Sequence, residues 1–343
     1  MSFDIHYCLA APATGDLPDG EVRGWADQFP QFTRRPIDDG SVEYWYENED
    51  TDVSFALTQE AGHKPPGGDD EVRAPLPPPY RYTGWHGNLN YCRPSFFAYE
   101  AMPVLADFAA RFGLTIFDRQ EFDDGRNGLM TVPHAPLLVS SWREHNQRAV
   151  DALFDHYKKH EAEGVPSLPI LDEAWLTSIW RHNFHRDAIQ AAHGADAFVM
   201  RISLVTGVGD EALHSAILWG EGMPIILPRT DGILLVDVDR SFFGRKPKSK
   251  YYFISTENAL PFLEKHMRDY DRDRGLYFLE DAPGTSLVST FKRITASSIA
   301  SDVTVPVKII KFGQGTDAAP RTSRGMDPGM RVIVTDPDYG GHA

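Results

Sequence analysis

Apolar and polar positions alternate from Phe3 to Leu9, with Asp4 and His6 set between Phe3, Ile5 and Tyr7, and this period of two predicts a strand. The period changes between Asp19 and Phe29, where Val22, Trp25 and Phe29 fall on one face of a short helix. Val42 to Glu47 and Val53 to Thr58 are rich in aromatic and β-branched residues. The polar run Asn48, Glu49, Asp50, Thr51 between them predicts a hairpin. Gly62 to Pro79 holds six prolines among charged residues and reads as an exposed loop.

The stretch GNLNYCRPSFFAYEAMPVL, Gly87 to Leu105, predicts a strand from Asn88 to Tyr91 that turns at Arg93-Pro94 into a helix from Ser95 to Phe112. Phe97, Ala101, Leu105, Phe108 and Phe112 form its apolar stripe, and Gly113 ends it. Pro94 suits the first helical turn, where its missing amide hydrogen would have had no partner. Arg93, at the positive end of that helix, is expected to look outward or to find a carboxylate such as Glu100. Leu114 to Phe117 is the next strand. Leu137 to Glu163 reads as one long helix with Leu138, Trp142, Ala149, Leu153 and Tyr157 on its buried side. The order β-α-β-β, loop, β-α-β predicts an α+β sandwich of the ferredoxin-like kind over residues 1–164.

Residues 165–343 predict a second α+β domain with a mixed, mostly antiparallel sheet. Helical spacing runs from Asp172 to His193, and strands follow at Ala197 to Val205, Ala212 to Trp219, Pro224 to Leu227 and Gly232 to Val238. Gly220-Glu221-Gly222 fits a hairpin turn. Tyr251 to Ile254 is strand-like, and Ser255 or Thr256 caps a helix reaching about Met267. Leu276 to Leu279 and Val303 to Ile310 are further apolar runs before a loose tail rich in Gly, Pro and Asp.

Composition narrows the function classes. Of 343 residues, 42% are hydrophobic, enough for a real core, and 49 Asp and Glu against 34 Lys and Arg give a formal charge of −15. That charge repels phosphate backbones and anionic membrane surfaces and favours a cationic partner or simple solubility, so nucleic acid is not an expected ligand. MSFDIHYCLAA lacks a basic leader, and no apolar run approaches the ~20 residues of a membrane helix, so a cytoplasmic protein without a membrane span is expected. Cys8 and Cys92 are too few for a disulfide framework and are expected as free thiols. Oligomeric state is not legible.

Chemistry-bearing residues are sparse. Glu47, Glu49, Asp50 and Asp52 gather carboxylates at the hairpin turn, and Trp45 and Trp85 supply aromatic anchors, the pattern of a surface for a basic protein. The cluster lacks the spacing of a calcium loop. His182 and His185, with His193 further on, form the densest histidine group, and Asp237 and Asp239 end an apolar strand where a divalent ion is sometimes held. No P-loop, dinucleotide fingerprint or Gly-x-Ser-x-Gly elbow occurs, so no cofactor and no catalytic residue is assigned.

The segments MSFDIHY, YENEDTDVSF, LNYCRPSFFAYEAMPVL with FGLTIFD, AFVMRI and WGEGMPIILPRTDGILLV together resemble a bacterial protein family of uncharacterised activity. That family is associated with polymorphic or contact-dependent toxin neighbourhoods, where small acidic proteins act as immunity factors. The resemblance covers Met1 to about Asp237, and its motifs are structural. It implies a non-catalytic cytoplasmic inhibitor that occludes a toxin. The alternative from the residues themselves is a metal-dependent transferase or hydrolase using Asp237 and Asp239 or the His182 to His193 region.

Overall fold

A computed structural model describes residues 2–10, 17–37, 39–61, 76–160, 170–207, 210–239, 248–280, 286–296, 308–310 and 330–331. The chain divides into two compact units between Glu173 and Ala174. A two-residue bridge, in which Ile170–Leu171 pairs antiparallel with Met330–Arg331, belongs to the first unit. The rest of the tail beyond Ile310 lies outside the described residues.

The first unit contains β1 (Ser2–Ala10), α1 (Asp19–Ala26), β2 (Phe32–Pro36), β3 (Val42–Asn48), β4 (Val53–Gln59), β5 (Tyr80–Asn90) and α2 (Phe96–Arg111). It continues with β6 (Thr115–Asp118), α3 (Arg119–Asp123), β7 (Leu129–Met130), α4 (Ala135–His160) and β8 (Ile170–Leu171). Its large sheet has the order β2-β3-β4-β5-β1-β6-β7 with every neighbouring pair antiparallel. The inner strands β4-β5-β1-β6 carry the ferredoxin-like arrangement: α2 joins β5 to β6 across β1, and α1 leads from β1 toward β4 across β5. The β2-β3 pair is an insertion after α1, and β7 extends the opposite edge.

Alternation sorts the two faces of this sheet. Phe3, Ile5 and Tyr7 of β1 and Trp85 and Leu89 of β5 are buried on the helix-covered face, whereas Asp4, His6, His86 and Asn88 lie on the other and are only half-buried. Tyr7 donates its hydroxyl to the Leu105 carbonyl at 3.0 Å, and Trp25 of α1 donates to Asp107 of α2 at 2.8 Å. Gly87 eases the close crossing of α2 over β5, because a Cβ there would stand 3.0 Å from Leu105 Cδ2 and 3.1 Å from Ile5 Cγ1. Strand β5 begins at Tyr80, well before the expected Asn88; its pairing with β1 shifts register between Tyr82 and His86, where Gly84 sits at φ +83°, and glycines at 84 and 87 interrupt the β-rich pattern in the sequence.

The second unit contains α5 (Glu173–Phe184), α6 (Arg186–His193), β9 (Phe198–Val199), β10 (Ile202–Gly207), β11 (Asp210–Gly220), β12 (Ile225–Leu227), β13 (Gly232–Asp239) and β14 (Lys248–Ser255). It ends with α7 (Thr256–Leu263), a 3-10 turn at Glu264–His266, β15 (Met267–Asp271), β16 (Leu276–Leu279), α8 (Leu287–Ala296) and β17 (Lys308–Ile310). The bridge strand Met330–Arg331 is β18. Two mixed, mostly antiparallel sheets result, β14-β13-β11-β10-β17 and β15-β16-β12-β9, with β11 parallel to β13 and β12 parallel to β9.

The expected hairpin at Gly220-Glu221-Gly222 is therefore absent, since the chain leaves one sheet at β11 and enters the other at β12. A tight turn makes the transfer, with Met223 N donating to the Gly220 carbonyl at 3.3 Å and Gly222 at φ +75°. Trp219 locks it by donating Nε1 to the Met223 carbonyl at 2.8 Å. Ile225 to Leu227 are all buried, and Ala216, Ile217 and Trp219 are buried with Leu218 exposed, so no shared period of two sets a mutual register for the two runs. The helical signal from Asp172 to His193 likewise resolves into α5 and α6, broken at His185.

Candidate functional site

The β3-β4 turn is built on a buried carboxylate. Tyr46 Oη at 3.0 Å, Asn48 Nδ2 at 2.7 Å and Thr51 Oγ1 at 3.2 Å all donate to Oε1 of Glu100, which lies on α2 and is 3% exposed. Burial and the neighbouring Glu100 charge push the Tyr46 phenol up, which keeps it a donor. Asn48 also closes the turn from within: its Oδ1 accepts from Asp50 N at 3.0 Å, and its carbonyl accepts from Thr51 N and Asp52 N at 3.2 and 2.8 Å. Asp52 takes the left-handed conformation at φ +59°, which Asp tolerates better than most side chains.

That scaffold presents the predicted acidic residues. Glu49 is exposed, and Glu47, Asp50 and Asp52 are half-buried around it. Trp45, on the sheet face away from the helices, is half-buried. It donates Nε1 to Glu47 Oε2 at 3.1 Å and carries the Arg35 guanidinium 4.8 Å above its ring. Trp85 does not join it. At 1% exposure it lies on the opposite, helix-covered face against Tyr44 and Phe108, so no partner can reach it and it leaves the binding set. The arrangement offers fixed negative charge and hydrogen-bond acceptors for a cationic surface.

The histidine candidates separate. His182 is buried, and its Nε2 lies 2.9 Å from the Met200 carbonyl; because a carbonyl only accepts, that nitrogen carries the proton and is not a metal ligand in this arrangement. His185 is exposed at the α5-α6 break, and His193 meets Tyr270 edge-on and Phe278 at a tilt. Asp237 and Asp239 stand opposite Lys250 and Lys248 in the β13-β14 register, and their side chains lie outside the described residues. Among the described residues no group of three or more His, Cys, Asp or Glu is placed to hold a metal ion.

Burial also lowers the His182 pKa from its ordinary value of 6.5. The folded state then disfavours the proton, so this contribution to stability is full above the ordinary value and is lost as pH falls through the lowered one. Denaturant unfolding followed from about pH 8 to about pH 5 is expected to show a steeper loss for the wild type than for His182→Gln, whose amide still donates but does not titrate. Equal slopes would remove His182 from the acid-sensitive set.

Sequence reasoning missed the clamp at the strand-to-helix corner. Asn146 of α4 accepts from Cys92 N at 2.7 Å and Arg93 N at 3.3 Å, and donates to the Arg93 carbonyl at 2.9 Å. Arg93 does not pair with Glu100, whose Oε1 serves the hairpin; its guanidinium lies 5.8 Å above the Phe97 ring, and burial pushes its pKa down. Nearby, Asp118 caps α3 and accepts from Ser141 Oγ at 2.6 Å, with burial raising its pKa. Cys8 and Cys92 are free thiols, and burial pushes that of Cys92 up, the opposite of an activated nucleophile.

No protein-family model matches the chain, and no curated protein or solved structure does either. The fold and site define a two-unit α+β protein with an acidic, internally braced hairpin. Among the described residues no helix is long and apolar enough to cross a membrane.

Proposed function

We propose that this chain is a non-catalytic cytoplasmic binding protein of the immunity type, which occludes a basic toxin with the end of the β3-β4 hairpin. The observation that carries the reading is the bracing of an acidic turn by Glu100 through Tyr46, Asn48 and Thr51. A surface whose backbone is already ordered loses less conformational entropy on docking, and buried charge is otherwise a costly way to build a simple solvated turn. The net charge of −15 adds long-range attraction for a cationic partner.

Co-expression with the toxin of its gene neighbourhood is the direct test: growth is restored by this chain, and absence of both rescue and complex overturns the reading. Replacing Glu47, Glu49 and Asp50 together by Lys is expected to slow association by about 10-fold or more and to flatten its salt dependence, measured by surface plasmon resonance. An unchanged association rate would move the interface away from the hairpin.

A further inference from the structure

We propose that the groove between α7 and the β15-β16-β12 sheet of the second unit binds an α-amino-acid zwitterion with an apolar side chain. This inference goes beyond the hairpin reading and does not depend on it. The groove encloses about 530 Å³, within the ~300–1,000 Å³ usual for small-molecule sites. Leu227 and Tyr277, partners in the β12-β16 register, line it together with Met267 of β15 and Leu260 of α7. These are apolar bodies around an opening whose rim is charged.

The rim charges sort into committed and uncommitted ones. Arg268 lies 4.5 Å above the Phe278 ring and 3.5 Å from Glu280, and Asp269 accepts from Arg272 at 2.6 Å. Arg229 and Glu264 make no ion pair with each other or with any other described residue. Arg229 is exposed, and its stem lies across Gly275, at φ +67°, where a Cβ would stand 2.8 Å from Nε and 3.0 Å from Cδ. A guanidinium at a groove rim without a counter-charge is open to a carboxylate.

Glu264 supplies the complementary acceptor for an ammonium. With Arg229 and Arg268 set against Glu264 and Asp269, the rim carries no net formal charge, which selects a zwitterion over a phosphate or a simple anion. Leu227, Leu260 and Met267 select an apolar side chain, and Tyr277 brings a hydroxyl to the same lining.

Isothermal titration of the full chain with L-phenylalanine and L-leucine tests the proposal, with N-acetyl-L-phenylalanine and L-phenylalaninamide as probes lacking one charge each. Saturable binding of at least one free amino acid is expected, with both blocked derivatives of phenylalanine about tenfold weaker or more. Arg229→Gln is expected to abolish the preference for phenylalanine over its amide, and Glu264→Gln the preference over the acetylated form. The proposal is overturned if neither amino acid saturates, if the blocked derivatives bind as tightly, or if the two substitutions leave these preferences unchanged. Comparing derivatives on the unsubstituted chain keeps the test independent of how the variants fold.

Discussion

Glu100→Ala is expected to lower the stability of the first unit by about 3–5 kcal/mol, because removing one partner of a buried charged network strands the others. Tyr46, Asn48 and Thr51 all direct their donors at Oε1, and all three residues are buried, with Asn48 the most accessible at 8% exposed. Each stranded donor costs about 1–3 kcal/mol unless water reaches it. Glu100→Gln keeps one acceptor oxygen in the same shape and is expected to lose less. Urea unfolding measures the difference, and amide hydrogen exchange locates it: Asp50 N and Asp52 N, both held by Asn48, should exchange faster in the alanine variant. A loss below about 1 kcal/mol with unchanged exchange would show that the turn holds itself without Glu100.

Trp219→Ala should produce a loss of similar size in the second unit, about 3–5 kcal/mol, by the cavity it leaves. The ring is fully buried and meets Phe291 of α8 edge-on at 5.5 Å, and its Nε1 pins the turn that carries the chain from β11 to β12. Trp219→Phe restores most of the volume but not the hydrogen bond to the Met223 carbonyl, so the gap between the two variants reports the pin alone. Thermal unfolding with a probe in the second unit decides it. If Trp219→Phe matches wild type and Trp219→Ala falls by less than about 1 kcal/mol, the crossover does not depend on this residue.

Legibility in the sequence followed burial pattern. Strand β1, the β3-β4 hairpin, helix α2 and strand β16 carry strong local signals, and the structure places them within a residue or two of the expected bounds. β2 went unread because Phe32–Pro36 is a charged edge strand with little apolar alternation. Helix α8 also escaped, although Leu287, Phe291 and Ile294 repeat at helical spacing. Glu100 was legible only as a possible partner for Arg93, and its actual role was not, since its donors lie 49 to 54 positions away. Trp85 and Trp45 look equivalent in sequence and fall on opposite faces of one sheet.

Local chemistry by itself determined the α+β class, the acidic hairpin and the helix that begins after Arg93-Pro94, because alternation, helical spacing and turn residues act over neighbouring positions. At that corner local spacing left Arg93 a choice between solvent and Glu100; packing gave a third answer, a guanidinium over the Phe97 ring with its backbone clamped by Asn146. Only the tertiary structure decided which strands share a sheet, which tryptophan is buried, and where Glu100 directs its charge. Those outcomes depend on contacts between distant segments, and an apolar run or a lone carboxylate carries no record of its partner until the chain has closed around it.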